Sequence, residues 1–465
     1  MIELSAERMA AAMGADLIDR GPGDYPSRAV IDSRAVTGGE LFFGLSGASD
    51  DGSRFARTAL ESGAWGVVVS PERATELAGT GSFVFASGDP LRALQMLARA
   101  WRRELGATVI GVTGSVGKTS VKDITRAILP GRVHASAENF NTEIGLPLTV
   151  LEARPGTETL VLEMAMRGTG QIAELAEIAE PDIGVITNVG PVHVELLGSV
   201  EAVAAAKAEL IGGIRSGGTL IAPARAGLLE SHLAGRPGVV RFGPGGDVEM
   251  TSRKMAAADG IGPDSAISSA GTVATVSTVH GEQEFSFPFT ESHNLTNALA
   301  AIAAGIAAGS TPSELSVRSG RVSFSKLRGE HIALGTESGR RGLVINDCYN
   351  ANPISMRAAL EYLAERNQPR KVAVLGLMGE LGPEQDRYHR EIGDLARELG
   401  IGTVIGVGEI AREYRPDVSV ADPAEAAAAV RELLGPDTAV LVKGSRAAGL
   451  EAVTEALVDA EGKAG

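Results

Sequence analysis

The chain has 465 residues, 44% of them hydrophobic, and 43 Lys and Arg against 58 Asp and Glu give a formal net charge of -15 at pH 7. That length suits about three domains of ~150 residues each, and the acidic balance argues against a surface built for nucleic acid or an anionic membrane face, since both need a positive footprint. The single cysteine, Cys348, excludes an internal disulfide framework. With no secretory leader pattern and no apolar run of about 18 residues, a cytoplasmic protein without a membrane span is expected.

Residues 1–105 read as a small α/β unit, with a helix over 5–13, strands over 29–31, 40–45 and 66–69, and a helix over 91–105. From residue 107 the alternation becomes regular. Apolar strands over 108–112, 159–164, 183–187 and 219–221, separated by alanine-rich helices, predict a mostly parallel sheet covered on both faces. The alternating stretches "TVATVSTV" and "QEFSFPF" suggest an antiparallel appendage over 271–289, after which a helix over 294–308 closes the middle domain. Beyond "RSGRVSFSKLRGE", strands over 343–346, 372–375, 404–407 and 439–442, each followed by a helix, predict a second doubly wound sheet. The expected fold class is α/β in three domains: a small N-terminal α/β domain (1–105), a central P-loop ATPase domain (106–325) and a C-terminal Rossmann-like domain (326–465). No fixed-period repeat points to a solenoid.

The stretch "IGVTGSVGKTSVKD" resembles a phosphate-binding loop but breaks its strict pattern, which requires glycine at 112 where this chain has Val112. The physics survives the change. A β-branched strand gives way to Gly114, Ser115 and Gly117, then to Lys118, Thr119 and Ser120 at the start of a helix, which aims backbone N–H groups and the helix dipole at an anion. Lys118 would lie along the β- and γ-phosphates, and the Thr119 hydroxyl is placed for Mg²⁺.

Glu163 ends a strand in "LVLEMA", His193 follows another in "TNVGPVHVELLG", and Lys207 lies on a helix in "EAVAAAKAEL". Strand carboxyl ends form the ligand crevice of an open parallel sheet, so Glu163 and His193 are candidates for the same magnesium site. The plainer alternatives are a glutamate bonded to a loop, a histidine satisfied by a carbonyl and a lysine snorkelling to solvent.

These stretches, with "ENFNTEIGLPLTVL" and "SHNLTNALAA", resemble the ATP-dependent Mur ligase family over nearly the whole chain, and that family carries the same shifted loop glycine. The third-domain stretches "INDCYNANPISMRAAL", "VLGLMGELG" with His389 downstream, and "VLVKGSRAAGLE" resemble the branch that adds D-Ala-D-Ala. Where the branch adding diaminopimelate or lysine usually has a D-N-P-type motif, this chain has Asn350-Ala351-Asn352-Pro353.

The resemblance implies a set of roles. Lys118 and Thr119 would bind ATP phosphates and Mg²⁺, two ions in all, with Glu163 and His193 as further metal ligands. Lys207 matches a lysine commonly carbamylated in the family. Asn294 and Asn297 would lie near the adenine, and Arg328, Asp347 and Tyr349 would reach the nucleotide from the third domain. Ser33 and Arg34, with "GASDDGSRF", match the UDP-holding region. Asn139, Asn141, Asn350, Asn352 and Lys443 are candidate substrate contacts, and Arg446 is expected to pair with the dipeptide carboxylate.

Two positions depart from the family: Ser53 stands where histidine is common, and Thr142 where a second asparagine is frequent. The implied reaction joins UDP-N-acetylmuramoyl-tripeptide to D-Ala-D-Ala through an acyl phosphate, with ATP going to ADP and phosphate, and the enzyme is expected to be a monomer. The alternatives are another Mur-type ligase, a folylpolyglutamate synthase-like ligase, or a P-loop switch or scaffold that would leave Glu163, His193 and Lys207 idle.

Overall fold

A computed structural model describes residues 2–47, 51–137, 139–256, 271–335, 341–435 and 437–462. The expected UDP-holding stretch "GASDDGSRF" falls partly on 48–50, outside the described residues. None of the described helices is long and apolar enough to cross a membrane.

The first sheet orders its strands Asp16–Asp19, Phe83–Ala86, Gly66–Val69, Leu41–Phe43 and Ala29–Val30. All neighbours are parallel except Asp16–Asp19, which runs antiparallel to Phe83–Ala86. The central strands are buried throughout, as a parallel sheet covered on both faces requires. The helix Pro90–Leu105 begins with Asp89, whose side chain accepts from Arg92 N, and with proline at its start, and it ends at Gly106 in the left-handed region.

That helix ties the first unit to the next. Its Trp101 Nε1 donates to Ala153 O at 3.0 Å, Arg102 Nε donates to Ala179 O at 2.9 Å, and Gln95 donates to Glu174 at 2.7 Å. Leu94, Leu97 and Trp101 belong to one hydrophobic cluster that runs from Ile2 and Phe85 to Leu160 and Leu175. The first two sheets therefore share a continuous core.

The central six-stranded sheet is ordered Val239–Phe242, Thr219–Pro223, Ile183–Ile186, Thr108–Thr113, Thr159–Glu163 and Val133–Ala135, with every pair parallel. One face packs on helices Lys118–Ile128 and Ser292–Ala307 through Val121, Ile124, Leu295 and Ile302. The other face packs on Gly145–Glu152, Gln171–Ala179 and Val200–Gly213. Val112 registers with both Glu163 and Val185, so the exits of three strands lie side by side.

The appendage is antiparallel and three-stranded: Gly271–Thr278 pairs with Gly281–Phe287 and with Glu249–Ala256, a strand not anticipated from the sequence. The third sheet runs Glu330–Gly335, Arg341–Asn346, Thr438–Lys443, Arg370–Leu375, Thr403–Val407 and Val418–Val420, and only its first pair is antiparallel. Registers Asn346↔Val442 and Leu375↔Lys443 bring the exits of its three middle strands together, where an open α/β sheet forms its crevice.

Candidate active site

Val112 is fully buried inside the strand Thr108–Thr113, so the chain has not yet turned where the strict loop pattern asks for glycine. The turn comes at Gly114, with φ 147°, where an added Cβ would lie 1.9 Å from Thr187 Oγ1. At Gly117, with φ 83°, a Cβ would lie 2.5 Å from Asn297 Oδ1. Both positions need glycine for conformation and for space. Ser115 N donates to Asn188 O at 3.0 Å and Val116 N to Asn188 Oδ1 at 3.0 Å, which pins the loop to the exit of the neighbouring strand. Lys118 Nζ donates back to Gly114 O at 2.8 Å. Burial lowers the Lys118 pKa, Glu163 opposes the shift, and Arg328 adds to it.

The next residue makes the link to Glu163. The Thr119 hydroxyl donates to Glu163 Oε2 at 2.8 Å, and Asn141 Nδ2 donates to Oε1 at 2.9 Å. Glu163 is 2% exposed, its backbone N–H donates to Ser136 Oγ at 3.1 Å, and among the described residues no cation lies within ion-pair distance of its carboxylate. A buried carboxylate without a cation is costly on its own, and carboxylate and hydroxyl oxygens suit a hard ion such as Mg²⁺.

These groups open into a cavity of about 1870 Å³ between the central and third sheets. Ser115, Ser120, Asn139, Asn294 and Asn297 line its central-domain side, and Asn297 Nδ2 donates to Asn294 Oδ1 at 3.4 Å. On the opposite wall the Arg328 guanidinium lies 4.1 Å from the centre of the Tyr349 ring. Lys443, only 1% exposed, donates to Asp347 Oδ2 at 2.6 Å and to Asn350 O at 3.0 Å. Asn352 caps the helix Pro353–Ala364 by accepting from Ser355 N at 3.0 Å. Arg446 reaches the same cavity but pairs with Glu451 at 3.2 Å, its side chain more than half exposed.

Three family models match in order: "Mur ligase family, catalytic domain" over 29–102, "Mur ligase middle domain" over 112–305, and "Mur ligase, glutamate ligase domain" over 334–446. The UDP-N-acetylmuramoyl-tripeptide--D-alanyl-D-alanine ligase of Mycobacterium leprae (strain TN) is 36% identical, with 98% of this chain and 99% of that protein covered. The chain belongs to the Mur ligase family. The Bacillus subtilis (strain 168) protein of the same name is 35% identical, with 92% of each covered. A crystal structure of MurF from Acinetobacter baumannii superposes with a TM-score of 0.86 at 26% identity, covering 98% of this chain and 99% of that one. MurF from Thermotoga maritima, solved in complex with ADP, has a TM-score of 0.79 at 26% identity, covering 94% and 98%.

Three residues that the Mur ligase resemblance singles out lie off the cavity wall. Ser33 and Arg34 form a short turn capped by Asp32, the Arg34 side chain is 89% exposed and pairs with Asp32 at 2.7 Å, and among the described residues none that lines the cavity comes from 1–105. Lys207 is 2% exposed, and no hydrogen bond or ion pair holds it among the described residues. Burial, with the charge of Lys118 adding to it, pushes its pKa well below the ordinary lysine value.

His193 does line the cavity, and its Nδ1 contacts Glu380, a third-domain residue that sequence reasoning did not assign. The His193 contact holds the Glu380 carboxyl below the usual glutamate range, with burial opposing and Arg167 assisting. The signal available in the sequence was an acid between glycines just beyond a strand, in "LGLMGELG". Sequence reasoning also passed over Asp123, which accepts from Ser325 Oγ at 2.9 Å and Ser325 N at 3.0 Å and so fastens the approach to the third sheet onto the P-loop helix.

Proposed function

We propose that this Mur ligase joins D-Ala-D-Ala to UDP-N-acetylmuramoyl-tripeptide in peptidoglycan precursor synthesis, with ATP going to ADP and phosphate. The observation that carries the reading is one cavity in which the P-loop and Glu163 face Asp347, Lys443 and Arg446 of the third sheet. Amide formation of this kind needs a phosphoryl donor and an amine to meet one carboxylate, and the cavity presents an anion-binding loop opposite cationic side chains. The two substrates are those in the names of relatives that match the chain from end to end.

Lys118 and the loop N–H groups bind the triphosphate, and rotation of Lys118 away from Gly114 O frees its charge for the β- and γ-oxygens. The tripeptide carboxylate attacks the γ-phosphorus, ADP leaves, and the amine of D-Ala-D-Ala then displaces phosphate from the acyl phosphate. Asn294 and Asn297 flank the adenine, with Arg328, Asp347 and Tyr349 closing over the nucleotide. Asn139 and Asn141 hold the tripeptide side. Asn350, Asn352, Lys443 and Arg446 hold the dipeptide, whose carboxylate suits the planar fork of Arg446. Enclosure between two sheets keeps water from the acyl phosphate.

Thr119 and Glu163 would hold Mg²⁺ together with phosphate oxygens, and His193 is the group available for a second ion. Among the described residues no three His, Cys, Asp or Glu side chains gather as a cage. When bound, Mg²⁺ offsets the repulsion between carboxylate and triphosphate and the charge that builds in transfer. Lys207, buried and without a partner among the described residues, is the amine we assign to carbamylation: its neutral nitrogen adds CO₂ and loses a proton, which puts an anion beside Lys118 in place of a neutral amine. Ser33, Arg34 and the stretch around Ser53 are assigned to the UDP group, with domain limits at 105 and 325. The enzyme acts as a cytoplasmic monomer.

A phosphate-release assay tests the reading. ATP cleavage is expected only when UDP-N-acetylmuramoyl-tripeptide and D-Ala-D-Ala are both present. Cleavage driven equally by diaminopimelate, lysine or glutamate would assign the chain to another ligase, and cleavage with neither substrate would make it a P-loop ATPase without ligation.

A further inference from the structure

Among the described residues five non-glycine residues have positive φ, and two of them, His193 at 54° and Glu380 at 61°, meet across the junction of the central and third sheets. Such backbone conformations persist where the surroundings over-determine them, and they gather at functional sites. Here the surroundings interlock. Glu195 N donates to Glu380 O at 3.3 Å, Arg167 Nε lies 3.9 Å from Glu380 Oε1, and a Cβ on Gly382 would come within 3.1 Å of the Glu195 Cα. Beside them, a Cβ on Gly190 would lie 2.0 Å from the Ile354 side chain. His193 Nδ1 is closed off from solvent and makes no hydrogen bond among the described residues, and the Glu380 carboxylate is the group in ion-pair contact with it.

We propose that Glu380 is a positioning residue: closure of the third domain brings its carboxylate to Nδ1 of His193, which fixes the imidazole and leaves Nε2 for the reaction cavity. A carboxylate on one ring nitrogen sets the tautomer and the direction of the other. The contact is only half-buried, which suits one made and broken in each turnover and contributes little to holding the fold. The position of the third domain is thereby read at the reacting centre, and the acyl phosphate forms only in the enclosed state. This inference rests on the ligase reading above.

The test uses full-length enzyme with ¹⁵N-labelled histidine, of which the chain has 7, in wild type, Glu380→Gln and Glu380→Asp. In Glu380→Gln, kcat is expected to fall by about 10- to 100-fold with KM for ATP and D-Ala-D-Ala held within about twofold, and Glu380→Asp should recover part of the loss. The His193 ring-nitrogen signals should shift in Glu380→Gln, and amide exchange over 190–197 should quicken. Unchanged ring signals, a wild-type kcat, or a loss that follows a lowered melting temperature would each overturn the proposal. Wild type failing to ligate the two substrates would instead sink the ligase reading, since the ring signals and amide exchange report the contact without turnover.

Discussion

The Thr119 hydroxyl donates to the Glu163 carboxylate at 2.8 Å across 44 residues of sequence. The contact joins the start of the P-loop helix to the exit of the adjacent parallel strand, and it exists because Val112 and Glu163 share a register. It turns a phosphate-binding loop into a site with a buried anion of its own, and that anion is what a divalent ion would meet.

Glu163→Gln keeps the shape and removes the charge. Metal-assisted charge stabilisation is worth several kcal/mol, so kcat should fall by about 10³-fold or more in a phosphate-release assay. Thermal unfolding of the metal-free variant should match or exceed wild type, because a buried carboxylate without a cation is lost. Turnover within about threefold of wild type would remove Glu163 from the site.

Gly114→Ala should fold but bind ATP poorly. Its φ of 147° and a Cβ 1.9 Å from Thr187 Oγ1 force the loop to move, and strain of this kind costs about 1–3 kcal/mol. Titration calorimetry with ATP is expected to show at least about a tenfold loss of affinity, whereas unchanged affinity would mean the loop tolerates a side chain there.

Lys207→Ala should lose ligation and recover part of it with small carboxylates such as formate or acetate, and ¹³CO₂ should label wild type at this residue. A buried lysine that stays an unmodified amine would show neither effect. Stability gives a separate readout in CO₂-free buffer. The folded Lys207 pKa lies well below the unfolded value, so between the two the unfolded chain binds the extra proton and wild-type stability rises with pH. Lys207→Met lacks that slope, and its melting advantage at neutral pH should shrink as pH approaches the ordinary lysine range.

Asp347→Ala leaves the Lys443 ammonium buried without its carboxylate, which costs less than the about 3–5 kcal/mol of a fully buried pair because the Asp347 side chain is 25% exposed. Asp347→Asn keeps an acceptor for the 2.6 Å contact and should lose less. Urea unfolding of the two variants orders them, and equal stability of both with wild type would show that the pair does not hold the third-sheet crevice.

Much of this was legible where function sits on contiguous residues. Gly114 to Ser120 carry the loop in one stretch, and the apolar runs around Val109, Val161 and Val185 announced a buried parallel sheet. Contacts between distant loops were not legible. Glu380 and His193 lie on loops that follow strands of different sheets, and neither loop names its partner. Asp16–Asp19 went unread because four residues, half of them acidic, form an edge strand whose alternation is too short to stand out. The strand Glu249–Ala256 carries too many polar residues to be read without its partner, and in Glu330–Gly335 the apolar run is only Ile332 to Leu334, too short to stand out.

Oxygen tracing tests the central claim most directly. UDP-N-acetylmuramoyl-tripeptide carrying ¹⁸O in its terminal carboxylate is incubated with ATP, Mg²⁺, D-Ala-D-Ala and the enzyme, and the released phosphate and the peptide product are weighed by mass spectrometry. Attack of that carboxylate on the γ-phosphate predicts one ¹⁸O in each phosphate released and a matching amount of UDP-N-acetylmuramoyl-pentapeptide. Unlabelled phosphate, or phosphate release without pentapeptide, would contradict amide formation through an acyl phosphate.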